Sequence, residues 1–158
     1  MHNTKIDIPK DAREKLIAIL NQRLADSVDL KSQAKQAHWN VKGMSFIALH
    51  ELFDRVAADV TPMSDDLAER VTSLGGTALG TVRVSAQHSE LPEYPLEISE
   101  GPDHVDALST ALAEFGRRVR ADIDRTEKLG DAVTADLFTN ISGEIDKLLW
   151  FVEAHQQS

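Results

Sequence analysis

The 158-residue chain contains no cysteine. Disulfides, thiolate metal sites and thiol nucleophiles are excluded, so any metal would be held by imidazole and carboxylate. No apolar run is long enough to span a bilayer, and the first residues, MHNTKIDIPKDAREK, lack the apolar stretch of a signal peptide. A cytoplasmic protein with no membrane partner is the expectation. Internal repeats, low-complexity tracts and domain linkers are missing too. One domain over 1–158 is expected, with short flexible tails at about 1–8 and 155–158. Basic residues are the minority, 17 against 26 acidic, for a formal charge of −9. That balance disfavours nucleic acid as a default partner and suits a surface that concentrates cations. The pair Glu-x-x-His, from which dinuclear sites inside helical bundles are commonly built, occurs nowhere.

Four amphipathic segments are present. The first starts after Pro9 and carries Leu16, Ile17, Leu20, Leu24 and Val28 to about His38, where Trp39 to Gly43 interrupt it. The second starts near Ser45, a candidate N-cap, and stops at Gly75-Gly76. Its seam is Phe46, Leu49, Phe53, Val56, Val60, Met63, Leu67, Val71 and Leu74, and Pro62 conflicts with it. The third follows Gly101-Pro102 with Val105, Leu108, Leu112, Phe115, Val119 and Ile123, and stops at Gly130. The fourth starts near Asp131 with Val133, Leu137, Ile141, Ile145, Leu148 and Val152. Residues 81–101 form a connection too long to lack structure, so a short helix or crossover is predicted there. Two helical hairpins joined by one long crossover make an all-α, ferritin-like four-helix bundle.

The chemistry-bearing residues lie on the second segment. His50 with Asp54, and Asp65 with Glu69, are each spaced i, i+4, and His38 lies twelve residues before His50. Imidazole plus carboxylate suits iron, manganese or zinc. Asp54 and Asp65 are eleven residues apart, roughly 16 Å along a helix. Two metals of one dinuclear site sit only about 3.5–4 Å apart, so one straight helix cannot bring both pairs to one centre. Either the helix folds back near Pro62, or a second copy of the chain supplies half of the site. At about 100° per residue, the four polar residues fall roughly 100–200° from the apolar seam. They face away from the chain's own core, which favours the second copy.

The run HWNVKGMSFIALHELFD, followed by D-x-x-A-E-R, L-G-G-x-x-L-G-T, LPEYPL and DKLLWFVEA, resembles the Dps family of mini-ferritins over nearly the whole chain. The family's ligand spacing is matched by His38, His50, Asp54, Asp65 and Glu69. The resemblance implies a hollow homododecamer whose ferroxidase centres, shared across a twofold interface, oxidise Fe(II) and store the ferric product. Hydrogen peroxide would be the preferred oxidant, dioxygen the other, and zinc a competitor for the dinuclear iron site. The resemblance also implies that Trp39 lies near the centre and quenches stray oxidising equivalents; packing at a helix end is the plain alternative. It points to Glu127, Asp131 and Asp136 as lining an iron-entry pore, although an Asp at a helix start commonly serves as a cap.

The histidines left over, His2, His88, His104 and His155, have no persuasive ligand-spaced partner, and surface or capping roles are expected. Trp150 and Phe151 are expected in core or subunit packing. Some family members bind DNA through lysine-rich tails. Here the segment before the first helix offers only Lys5 against Asp7, with Lys10 at its boundary, and residues 155–158 carry no Lys or Arg. Twelve chains at −9 each would carry about −108, so weak or absent DNA binding is expected. A DNA-protecting, nucleoid-associated shell with little ferroxidase activity is the alternative reading, and a structural oligomer without redox role the third.

Overall fold

The computed structural model describes residues 1–157. The helices are α1 (Lys10–Asn40), α2 (Phe46–Ser73), α3 (Val82–His88), α4 (Gly101–Lys128) and α5 (Ala132–Glu153). The long pairs α1–α2 and α4–α5 are antiparallel hairpins; α1 also packs on α4, and α2 on α5. α3 is a single short helix inside the crossover. The chain is therefore an all-α, ferritin-like four-helix bundle.

The seams read from sequence close on one another. Leu16, Leu20 and Leu30 of α1 meet Phe53, Val60 and Leu67 of α2, and Leu108, Phe115, Phe138, Ile145 and Leu148 complete a core with almost no solvent contact. Each such side chain contributes about 1.5–3 kcal/mol through burial. Two residues assigned to seams lie outside the core: Phe46 and Val133 are 39% and 64% exposed. Trp150, at 60% exposure, is not a core residue either, whereas Phe151 is half-buried beneath the Arg55 guanidinium, 4.9 Å from its ring centroid.

Helix ends follow the local signals. Pro9 and Ser45 occupy the N-cap positions of α1 and α2, although Ser45 makes no side-chain capping bond. Gly75 ends α2 with φ +89°, a left-handed conformation that a side chain resists. Pro62 does not break α2, which runs unbroken from Phe46 to Ser73. Pro62 and Ala58, whose carbonyl loses its intrahelical donor, are both on the exposed side, where water can replace the lost bond. A fold-back at Pro62 is thereby excluded.

The tail expected at about 1–8 makes specific contacts. The His2 amide donates to the Gly75 carbonyl at 2.7 Å, Ile8 packs on the core, and Arg13 donates to the carbonyls of Ile8 and Leu74. At the other end, His155 to Gln157 are exposed, and position 158 lies outside the described residues. A buried charge cluster ties the hairpins together: Arg23 on α1 is held between Asp26 (2.8 Å) and Asp122 of α4 (3.2 Å). Burial pushes both carboxyls above their ordinary values, against the pull of Arg23. Among the described residues, no helix is long and apolar enough to cross a membrane.

Candidate metal centre

The α1–α2 turn brings His38, in the last turn of α1, beside His50, in the first turns of α2. Their rings stack with centroids 3.7 Å apart and planes at 23°. Each Nδ1 lies 2.7 Å from the other residue's backbone carbonyl oxygen, His38 to His50 and His50 to His38. A carbonyl only accepts, so both Nδ1 atoms carry the proton and donate. The His38 carbonyl belongs to the end of α1, where it has no intrahelical partner, and His50 supplies one. The consequence is chemical. With Nδ1 protonated, each imidazole keeps its Nε2 lone pair for a metal, in a tautomer and ring orientation fixed before any metal arrives.

Asp54 lies one turn beyond His50 and is exposed. Its Oδ1 accepts from Lys35 Nζ at 2.6 Å, and that hydrogen bond is the main reason its carboxyl is held below the ordinary aspartate value. The same ammonium sits 5.7 Å from the Trp39 ring centroid. Trp39 is 66% exposed, so it is not packed at the helix end within its own chain. Lys35 was not singled out from sequence, yet it precedes His38 by three residues and so shares its face of α1. That spacing was the available signal.

Asp65 and Glu69 follow further along the unbroken α2, both exposed and without a salt bridge among the described residues. The chain does not bring them to the histidines. Among the described residues, no group of three or more His, Asp or Glu is close enough to hold one metal ion. Instead Glu69 shares a shallow groove between α2 and α5 with Asp66, Arg70 and Asp136.

The pore candidates part company. Glu127 and Asp136 are exposed, at the end of α4 and in the second turn of α5. Asp131 is 2% exposed and fully engaged: it accepts from the Val133 and Thr134 amides as the N-cap of α5 and from Arg70 at 2.8 and 2.9 Å. Burial would raise its carboxyl, but Thr134 and Arg70 outweigh that and hold it below the ordinary value. Asp131 is therefore the cap of α5, not an open pore carboxylate. His104 also departs from expectation, being 1% exposed and bonded to Tyr94 rather than on the surface.

The family model for the ferritin-like domain matches residues 17–158. The DNA protection during starvation protein of Agrobacterium fabrum is 46% identical over 156 residues, 99% of this chain and 96% of that one. The chain belongs to the Dps family of ferritin-like proteins. Among solved Dps structures, the tetragonal form from Mycobacterium smegmatis aligns with a TM-score of 0.94 at 30% identity, covering 100% of this chain and 96% of that chain. DpsA14 from Streptomyces coelicolor aligns at 0.93 and 34% identity, covering 98% and 92%. All the candidate ligands lie within the residues matched by the family model.

Proposed function

We propose that this Dps-family chain is the subunit of an iron-oxidising and iron-storing shell, with dinuclear sites completed across a twofold interface. The observation that carries the proposal is the reciprocal bonding of His38 and His50, which leaves two preset Nε2 donors at a surface to which the same chain adds Asp54 but does not bring Asp65 or Glu69. In a twofold dimer, His38, His50 and Asp54 of one subunit face Asp65 and Glu69 of its partner. Iron is the substrate. Carboxylates stabilise Fe(III) and imidazole accepts Fe(II), so the set favours oxidation over release. Two Fe(II) ions at one site deliver two electrons to hydrogen peroxide together, with two protons taken up and two waters formed. Hydroxyl radical is then not released. Dioxygen would serve as a second oxidant, and zinc would compete for the same ligands.

Lys35 acts as a stand-in cation. It neutralises Asp54 while the site is empty and must withdraw as iron enters. Glu69 and Asp136 on one groove support a route for Fe(II) along the α2–α5 face, with Glu127 and Asp136 as entry carboxylates. Trp39, exposed beside His38, is placed to absorb a stray oxidising equivalent.

The test is Fe(II) oxidation by stoichiometric peroxide, wild type beside a His50→Ala, Asp54→Ala double variant, with native mass analysis of assembly. Fast oxidation at about two Fe(II) per peroxide, lost in an assembled variant, supports the proposal. Equal slow oxidation in both sinks it. One observation favours the DNA-protecting alternative: the groove between α1 and α4, about 770 Å³, is lined by Lys15, Arg23, Arg117, Arg118, Arg125 and Lys128. All four of those guanidinium groups are paired with Glu90, Glu114 or Asp122, and the overall charge is negative. The expected gel shift at moderate salt is therefore weak or absent; a clear shift, lost on charge reversal at Lys15 and Lys128, would restore the alternative.

A further inference from the structure

Tyr94, in the crossover, and His104, in the first turn of α4, form a buried pair that metal binding does not use. Tyr94 is 8% exposed and His104 1%. The phenolic oxygen lies 2.6 Å from His104 Nδ1. His104 Nε2 is enclosed and makes no hydrogen bond to a described residue, while the Asn40 backbone bears on the ring and favours its protonated nitrogen. The phenol is the more acidic donor of the pair and has no other acceptor among the described residues, so Tyr94 O–H donates to the Nδ1 lone pair and the imidazole proton resides on Nε2. Burial holds the imidazole below its ordinary pKa, keeping it a neutral acceptor, and raises that of the phenol. The pair packs against the two helices that carry the histidines. Asn40 is two residues after His38, and the Phe53 ring, 6.4 Å from that of His104, is three after His50.

From this geometry, and resting on the ferroxidase reading above, we infer that Tyr94 is an internal one-electron donor to oxidants escaping the metal centre, with His104 its proton acceptor. The oxidant is hydroxyl radical, formed when a single Fe(II) reduces hydrogen peroxide. Tyr94 gives it one electron, turning it into hydroxide, and the phenolic proton crosses to His104 Nδ1. A neutral tyrosyl radical remains beside an imidazolium. A later Fe(II) returns the electron, becoming Fe(III), as His104 returns the proton. Without a base at hydrogen-bond distance, the electron could leave only by forming a cationic phenol radical in a buried site, which is strongly disfavoured. Trp39 would guard the solvent side of the centre and Tyr94 the core side.

The experiment exploits composition, because Tyr94 is the only tyrosine. Assembled protein is loaded with one Fe(II) per site, mixed with excess peroxide and frozen for electron paramagnetic resonance. The expected result is a radical whose hyperfine pattern narrows when the protein carries ring-deuterated tyrosine, a readout that needs no substitution. Tyr94→Phe abolishes it with iron oxidation unchanged. His104→Gln, which can accept a hydrogen bond but not the proton, lowers its yield several-fold. Rapid iron oxidation with no deuterium-sensitive signal overturns the inference and leaves the ferroxidase reading intact. If the wild type does not oxidise iron, that reading fails by itself, and photogenerated tris(bipyridine)ruthenium(III) then supplies the oxidant. A tyrosyl signal diminished by His104→Gln upholds the donor pair; its absence, or indifference to His104, overturns it.

Discussion

At the scale of single residues, the centre is governed by which nitrogen of each histidine is occupied. Crossed bonds to backbone carbonyls consume both Nδ1 atoms, so Nε2 is the atom each ring leaves free for the proposed metal. Lys35 has the opposite effect, since its ammonium occupies Asp54 and opposes an incoming dication. Lys35→Met is expected to tighten Fe(II) binding several-fold at low salt and less at high salt, as read by anaerobic titration. The variant also changes the acid limit. Lys35 holds the Asp54 carboxyl below its usual value, so in the wild type the ligand stays ionised to lower pH. Without Lys35, that carboxyl returns toward the ordinary aspartate range, and Fe(II) binding should begin to fail at a higher pH. Identical acid limits would show that another group sets them.

Among the helices, α2 bears most on the proposed site, because it runs unbroken from Phe46 to Ser73 and separates Asp54 from Asp65 along its length. Pro62 lies on the solvent side of an unbroken helix, so removing it should affect propensity more than geometry. Pro62→Ala is expected to leave iron oxidation unchanged and raise stability by up to about 3 kcal/mol, measured by chemical denaturation. A marked change in rate would mean that the proline sets the spacing of the carboxylates. The start of α5 makes a second case. Asp131→Asn keeps a capping oxygen but weakens the bond to Arg70, and should cost about 1–2 kcal/mol at neutral pH. Because its folded carboxyl lies below the unfolded value, the ionised form is stabilising above pH of about 4. That contribution disappears as pH falls through the lower, folded value. The gap in melting temperature between wild type and variant should therefore be widest near neutrality and close in acid.

For the whole molecule, the bundle presents two unlike outer faces, an acidic α2–α5 groove and a basic but largely paired α1–α4 groove. The proposed sharing of sites between subunits has a countable consequence. Mixing His50→Ala with Glu69→Ala subunits by dissociation and reassembly makes half of the dimers mixed, and each mixed dimer holds one doubly damaged and one intact site. Neither parent oxidises iron quickly, whereas the mixture should regain about one quarter of wild-type activity. No recovery in a reassembled, native-mass mixture would refute the shared site. If instead each chain carried a complete site, every site in the mixture would still lack one ligand and the mixture would stay as slow as its parents.

Sequence by itself determined the four long helices, most of their stops and the outward direction of His50, Asp54, Asp65 and Glu69. Those features rest on local propensity and a 3.6-residue period, which neighbours in the sequence fully define. Family motifs likewise stand in the linear order of residues, so membership of the family was legible before any fold. Tertiary structure decided what depends on contacts between distant segments. His38 and His50 lock each other only because the α1–α2 turn stacks their rings, and Lys35 reaches Asp54 across nineteen positions. His104, expected at the surface, is buried because the crossover lays Tyr94 over it, a packing that no periodicity within α4 encodes. Asp131 is buried and held in place as the cap of α5 because Arg70, on another helix, reaches it. A side chain's surroundings are set by whichever remote segment covers it, and that is a property of the folded chain alone.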